Sequence, residues 1–236
     1  GNDVGFFAHQ LFPGGTDVSQ HTKSATEALA LTQQLVAEKT PVIYEATFAH
    51  NGVLVMVDIL TLEAGTYTGY EVKSSIRISE TYLKDAFLQY YVLKNTLPGF
   101  DDWFLVTLNP DYVLEDAVDP KKLFRKRSVK LKAEENLPYF THQIHQAHLV
   151  LEQNVIPNIA IGRHCLKPYQ CDFFGTCWKD TVGENSIFNM PLVDKGKLFD
   201  WFNEGIKTME QLSDARLEKD NLVRIKQALV KNEAII

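Results

Sequence analysis

The chain has 236 residues, 45% hydrophobic and 23% charged, with a formal net charge of −6. That is an ordinary globular profile, long enough for one substantial core and a small appendage. No apolar run approaches the ~20 residues of a membrane span and no secretory signal opens the chain, so the expectation is a cytoplasmic protein with no membrane partner.

The opening stretch GNDVGFFAHQLFPGG contains an amphipathic segment, VGFFAHQLF, with His9 inside it. Ala25–Glu38 (ATEALALTQQLVAE) has the apolar spacing of a helix that packs on a sheet. Pro41–Phe48 (PVIYEATF) reads as a strand from its β-branched and aromatic content, with Glu45 in its middle. Asn51-Gly52 is a strong hairpin signal leading into VLVMVDIL and Asp58. A turn follows, then a strand ending in Glu71-Val72-Lys73. Ser79–Asn95 has helical spacing, with Tyr82, Ala86, Gln89 and Leu93 near one face, and Asp102–Leu108 (DWFLVTL) makes a fourth strand. Glu134–Asn154 predicts a long helix ended by Ile156-Pro157; its His142, His145 and His148 fit a solvated helix face better than a metal site. Lys179–Asn185 reads as a linker, and Lys195–Ile236 as a small helical module.

Side chains alternate along a strand, so Glu71 and Lys73 project to one side with Val72 between them. A hairpin between this strand and the preceding one brings Asp58 beside Glu71. Two carboxylates and an ammonium then converge where a strand would favour Val or Ile, which is costly unless a metal or a reacting oxyanion uses them. The chemistry this suits is metal-assisted phosphodiester hydrolysis. Asp58, Glu71 and the Val72 carbonyl are hard oxygen ligands for Mg²⁺ or Mn²⁺, and Lys73 positions or deprotonates the attacking water. The plainer reading is a surface hairpin with a solvated Glu–Lys pair.

The order of helix, strand with Glu, strand with Asp, strand with Glu-x-Lys, and helix with Gln resembles the PD-(D/E)XK nuclease superfamily. Within it, the chain is similar to RecB-like bacterial nucleases, a family known by a domain of unknown function. The resemblance runs from about Gly1 to Trp178 through GNDVGFFAHQLFPGG, YEATF, VDIL, YEVKSS, YLKDAFLQYYVL and IGRHCLKPYQCDFFGTCW. It implies an α/β, restriction-endonuclease-like core, a mixed sheet of about four strands flanked by helices, with a small C-terminal helical module. The expected domains are 1–180, a nuclease domain ending in the cysteine cluster, and 186–236. The resemblance maps Glu45, Asp58, Glu71, Lys73 and Gln89 onto catalytic positions. The usual Q-x-x-x-Y is broken here by Leu93, with Tyr90 and Tyr91 the nearby aromatics. Gly5-Phe6-Phe7-Ala8-His9 fits the G-x-x-x-H whose histidine helps bind Mn²⁺ in such nucleases; the other reading of His9 is a partly buried histidine. The implied activity is DNA cleavage, as an exonuclease on duplex ends or single strands, in repair, recombination or defence, with a larger complex as partner. The alternatives are an inactive nucleic-acid-binding module and an iron–sulfur- or zinc-stabilised interaction module.

All three cysteines, Cys165, Cys171 and Cys177, fall in one aromatic stretch. An odd cluster with no partner elsewhere argues against a disulfide framework, and three thiolates are one short of a four-ligand site. Iron–sulfur RecB-like nucleases place one ligand before the core and three after it, so the chain reads as an N-terminally truncated fragment of a [4Fe–4S] protein. His164 is a further candidate ligand, and three half-buried thiols are the plainer reading. The stretch is expected to hold its fold by burying Phe173, Phe174 and Trp178. Lys121–Lys132 (KKLFRKRSVKLK) supplies Lys121, Lys122, Arg125, Lys126, Arg127, Lys130 and Lys132 with no acid. That run is either a phosphate-tracking stripe, which would reconcile an acidic chain with DNA, or a solvated face. FNEGIKTMEQL resembles a helix-hairpin-helix turn, in which main-chain N–H groups cradle a phosphate; a packing module is the other reading.

Overall fold

The computed structural model describes residues 2–179 and 181–231. The chain divides into two compact units, one up to Val155 and one from Ile156 onward. The cysteine stretch therefore groups with the C-terminal module rather than with the segment that carries Asp58 and Glu71.

The first unit opens with helix α1 (Asn2–Ala8), a two-residue strand β1 (Thr16–Asp17) and a short helix α2 (Val18–His21). Helix α3 (Ala25–Ala37) is started by Ser24, whose hydroxyl accepts the Glu27 N–H, satisfying one of the unpaired donors of the first turn. Strands β2 (Val42–His50), β3 (Val53–Glu63) and β4 (Thr66–Lys73) form a meander. Asn51 and Gly52 both take positive φ, as the expected hairpin turn requires. Helix α4 (Glu80–Thr96) crosses back to strand β5 (Phe100–Leu108), which runs parallel to β4. A short helix α5 (Pro120–Leu123) leads to strand β6 (Phe124–Ser128) at the sheet edge, and α6 (Lys130–Leu151) follows. The result is an α/β unit with one mixed sheet in the order β1-β2-β3-β4-β5-β6.

Six strands stand where about four were expected. The two extra ones are the edges, and both lack a pattern. β1 has only two residues, and β6 (FRKRS) has a single apolar side chain, so neither offers the period-two alternation that marks a half-buried strand. The long helix ends at Leu151, ahead of Ile156-Pro157, and carries Pro138 inside it.

The sheet has two apolar faces. One, with Ile43, Val57, Leu60, Trp103 and Leu105, packs on α3, α4 and α6, which contribute residues such as Phe87 and Phe140. The other packs on α1 and α5 and includes Tyr44, Ile59, Tyr70, Val106 and Phe124. Both β2 and β3 change sides midway. Tyr44 and Ile59 face α1, whereas Ala46 and Val57 face α3 and α4. The residues at the crossing are Glu45 and Asp58. The ladder stays in register across it, from Tyr44↔Ile59 to Ala46↔Val57, and Glu45 absorbs the swap in the left-handed region, at φ 55°.

In the second unit, helix α7 (Phe174–Lys179) lies in a cluster with Ile161, Cys165, Trp178 and Phe199. Helices α8 (Lys195–Asn203) and α9 (Asp220–Lys231) contribute Leu198, Trp201 and Leu222 to a small separate core. No helix among the described residues is long and apolar enough to cross a membrane.

Candidate active site

Register builds the site. The pairing Ile59↔Tyr70 sets Asp58 across from Glu71, and Tyr44↔Ile59 sets Glu45 across from Asp58. The three carboxylates thus stand in one row over three neighbouring strands, and β5 continues it, with Glu71↔Leu105. Lys73 lies two residues along β4 on the same side as Glu71.

Hydrogen bonds draw these groups together. The Lys73 ammonium donates to Glu71 Oε1 at 2.7 Å and to Asp85 Oδ2 at 2.6 Å. Gln89 Nε2 donates to Glu71 Oε2 at 2.8 Å and reaches Asp85 Oδ1 at 3.4 Å. Asp58 Oδ2 accepts the Val72 N–H at 2.6 Å. Asp85, one turn before Gln89 on α4, escaped sequence reasoning; its i, i+4 spacing to Gln89 was the available signal. Asp17 was missed as well. It pairs with Tyr44, next to Glu45, and its charge acts on both Glu45 and His9.

The electrostatics are those of carboxylates drawn out of water and held close together. Burial pushes Glu71 up to about 7, with the Asp58 carboxylate adding to the rise and Lys73 opposing it. Burial pushes Asp58 up to about 6 against its Val72 hydrogen bond. Glu45 is raised by burial and then by Asp17 and Glu71. Burial alone would depress the Lys73 ammonium, but Glu71 and Asp85 outweigh it and hold Lys73 above the ordinary lysine value.

Among the described residues no three His, Cys, Asp or Glu side chains form a ready metal cage. Asp58 is turned to the Val72 N–H, and Glu71 to Lys73 and Gln89. The donor set still suits a hard divalent cation. Buried Glu71 and half-buried Asp58 carry pKa values raised by burial and by the neighbouring carboxylates, and Gln89 Oε1 is buried without a hydrogen-bond partner.

His9 stands apart from the row. Its ring lies flat on Tyr44, with centroids 3.7 Å apart and planes 3° from parallel. Burial lowers its pKa and Asp17 raises it; Asp58 and Glu71 are not among the groups that act on it. His148 is a fastener, its Nε2 lying 2.8 Å from the Asn51 carbonyl oxygen at the hairpin turn.

The basic run does not form one stripe. Lys121 and Lys122 sit on α5, and Lys130 and Lys132 on α6. Within β6, Lys126 pairs with Val106 and its ammonium lies over the Phe12 and Tyr70 rings, on the α1 face. Arg125 and Arg127 pair with Thr107 and Leu105, which pair in turn with Lys73 and Glu71. Those two arginines share the side of the carboxylate row, two strands or roughly 10 Å from it. Arg125 also pairs with Asp111, and Lys130 with Asp101.

In the second unit Cys165 is buried, Cys171 half-buried and Cys177 exposed, and all three thiols are free. Trp178 is buried with Phe174 stacked on it, but Phe173 is 70% exposed, so Phe173 does not help hold the stretch. The Gly205-Ile206 turn differs from a helix-hairpin-helix. Thr208 makes an isolated bridge to Ser186 instead of entering a second helix. Gln211 Oε1 accepts the N–H groups of both Lys207 and Thr208, which leaves neither to cradle a phosphate.

No known family model matches the chain, and no curated protein does. A solved structure described as "Crystal structure of SSO0001" is similar over 56% of this chain, at 13% identity and a TM-score of 0.25. The match spans 59% of that structure's own chain, less than two thirds of it. A likeness at that level leaves function to be argued from the site.

Proposed function

We propose that the first unit is a metal-dependent nuclease of the PD-(D/E)XK, RecB-like type, hydrolysing phosphodiester bonds of DNA. The reading extends to exonuclease action on duplex ends or single strands, in a cytoplasmic repair, recombination or defence setting. The observation that carries it is the row Glu45–Asp58–Glu71 across three strands, with Lys73 on the same side. Asp58, Glu71 and the Val72 carbonyl are the residues that would hold Mg²⁺ or Mn²⁺, and the bound cation supplies positive charge and an acidified water. The chain's own groups divide the remaining work. Lys73 keeps its proton and offers a cation to the phosphate or to an attacking water. Gln89 fixes the orientation of Glu71, and Glu45 extends the negative row. Arg125 and Arg127 supply positive charge beside an acidic centre, which steers a polyanion toward it.

The test is loss of end-labelled linear DNA on incubation with the purified chain and Mn²⁺, with Asp58→Asn as control. Product from wild type and none from Asp58→Asn is the expected result; equal product from both removes the row from the chemistry. A second reading is a binding module without catalysis, favoured by the Lys73–Glu71 ion pair, which satisfies Glu71 with no metal. It predicts retained DNA with no product under any divalent cation.

A further inference from the structure

We infer that the cavity between α1 and the β1–α2 corner is a subsite for one unpaired nucleobase of a single strand, stacked on Phe6. This inference rests on the nuclease reading above and names the form of nucleic acid that the site accepts. The cavity holds about 490 Å³ and is lined by Phe6, His9, Gln10, Asp17, Gln20 and Tyr44 among others. That volume is within the ~300–1,000 Å³ of small-molecule sites.

Three observations choose the occupant. The first is a flat wall with a free platform. The Tyr44 hydroxyl donates to the Phe12 carbonyl at 2.5 Å and accepts the Gly15 N–H at 3.2 Å, which pins the ring that His9 stacks on. Phe6 stands beside His9, with centroids 5.8 Å apart, yet the residue is 66% exposed. An apolar ring left open at the mouth of a cavity is a stacking surface, and any base can use it because every base has a π-face.

The second is charge. No lysine or arginine lines the cavity, and Asp17 does. A phosphate is therefore repelled, whereas a neutral base with donors and acceptors on its edge is matched by Gln10, Gln20 and His21.

The third is position. Asp17 lines the cavity and its charge acts on Glu45, which begins the carboxylate row. A single strand that crosses the Glu45 end of the row therefore meets the cavity through Asp17. A paired base in a duplex cannot turn into it without leaving its stack, so the subsite selects unpaired ends.

The experiment uses the full chain in EDTA, so that no cleavage occurs. The probe is a short single-stranded oligonucleotide carrying 2-aminopurine, whose fluorescence is quenched on stacking. Wild type should quench it, Phe6→Ala should bind about tenfold more weakly with little quenching, and Phe6→Trp should restore both. The same oligonucleotide made abasic should bind wild type and Phe6→Ala alike. Equal binding and quenching by wild type and Phe6→Ala overturns the subsite, as does an equal effect of Phe6→Ala on the abasic probe. The nuclease reading is judged separately by Mn²⁺-dependent product. Cleavage by a chain that shows no Phe6 effect removes the subsite alone. Phe6-dependent quenching by a chain that cleaves nothing removes the nuclease reading and leaves a base-binding module.

Discussion

Lys73 sits between two carboxylates, Glu71 and Asp85, and it is charged throughout the neutral range. Lys73→Ala should abolish cleavage while DNA retention stays close to wild type, because its role in the reaction lies in the transition state. The same change should lower the melting temperature by leaving Glu71 without its cation. Activity within about tenfold of wild type would remove Lys73 from the mechanism. Asp58 and Glu71 make a second expectation, about pH. Both bind protons more tightly folded than unfolded, where they return to ordinary values of roughly 4. Their contribution to stability is fully present below those unfolded values and is lost as pH rises through about 6 and 7. Without divalent cation, the melting temperature should fall between pH 5 and pH 8. Mg²⁺ or Mn²⁺ should restore it at pH 8, and Asp58→Asn/Glu71→Gln should flatten the fall. A pH dependence untouched by the double variant would show that other groups set it. At this scale the convergence of Asp58, Glu71 and Lys73 was legible, because D…ExK spacing survives in a linear chain. Asp85 and Asp17 were not, because nothing along the chain says that α4 leans on Lys73 or that β1 pairs beside Glu45.

The central elements were legible for a related reason. β2, β3, β4 and β5 carry apolar patterns, and Asn51-Gly52 names its own turn. The edges lack those signals: β1 is too short for a pattern and β6 is nearly all charge. The side change at Glu45 and Asp58 was also invisible, since VIYEATF looks the same whether or not alternation is broken. Close fit within the sheet is testable at Gly69. A Cβ there would lie 2.2 Å from the buried Trp103 ring, so Gly69→Ala should cost about 1–3 kcal/mol by overpacking, read from denaturant midpoints. A loss under about 0.5 kcal/mol would mean that Trp103 has room to retreat.

For the whole molecule, the division at Val155 has a direct consequence. All the row residues, both site-facing arginines and the Phe6 cavity lie before it. A chain ending at Val155 should melt cooperatively and keep Mn²⁺-dependent cleavage. Loss of cleavage by a folded fragment would assign the C-terminal unit a part in the chemistry. The thiols lie beyond the division and differ widely in exposure. The purified 236-residue chain should therefore show no stoichiometric iron or zinc and no iron–sulfur absorption. A full cluster would mean that His164 or another group of this chain supplies the fourth ligand. The cysteine count was legible, but the unit to which the stretch belongs was not, because a boundary is made by contacts rather than composition.

The backbone of Glu45 adds a demand that its carboxylate does not explain. A left-handed φ is disfavoured for any side chain with a Cβ by about 1–3 kcal/mol, and glycine escapes that cost. Position 45 thus serves two masters, a conformation best met by glycine and, in the proposed reading, a chemistry met only by an acid. Glu45→Gly should melt above Glu45→Ala by an amount worth about 1 kcal/mol, although both lose the carboxylate and the cleavage that depends on it. A chain shaped only for stability would carry glycine here, so the acid at this corner gives up stability, as the proposed chemistry would require.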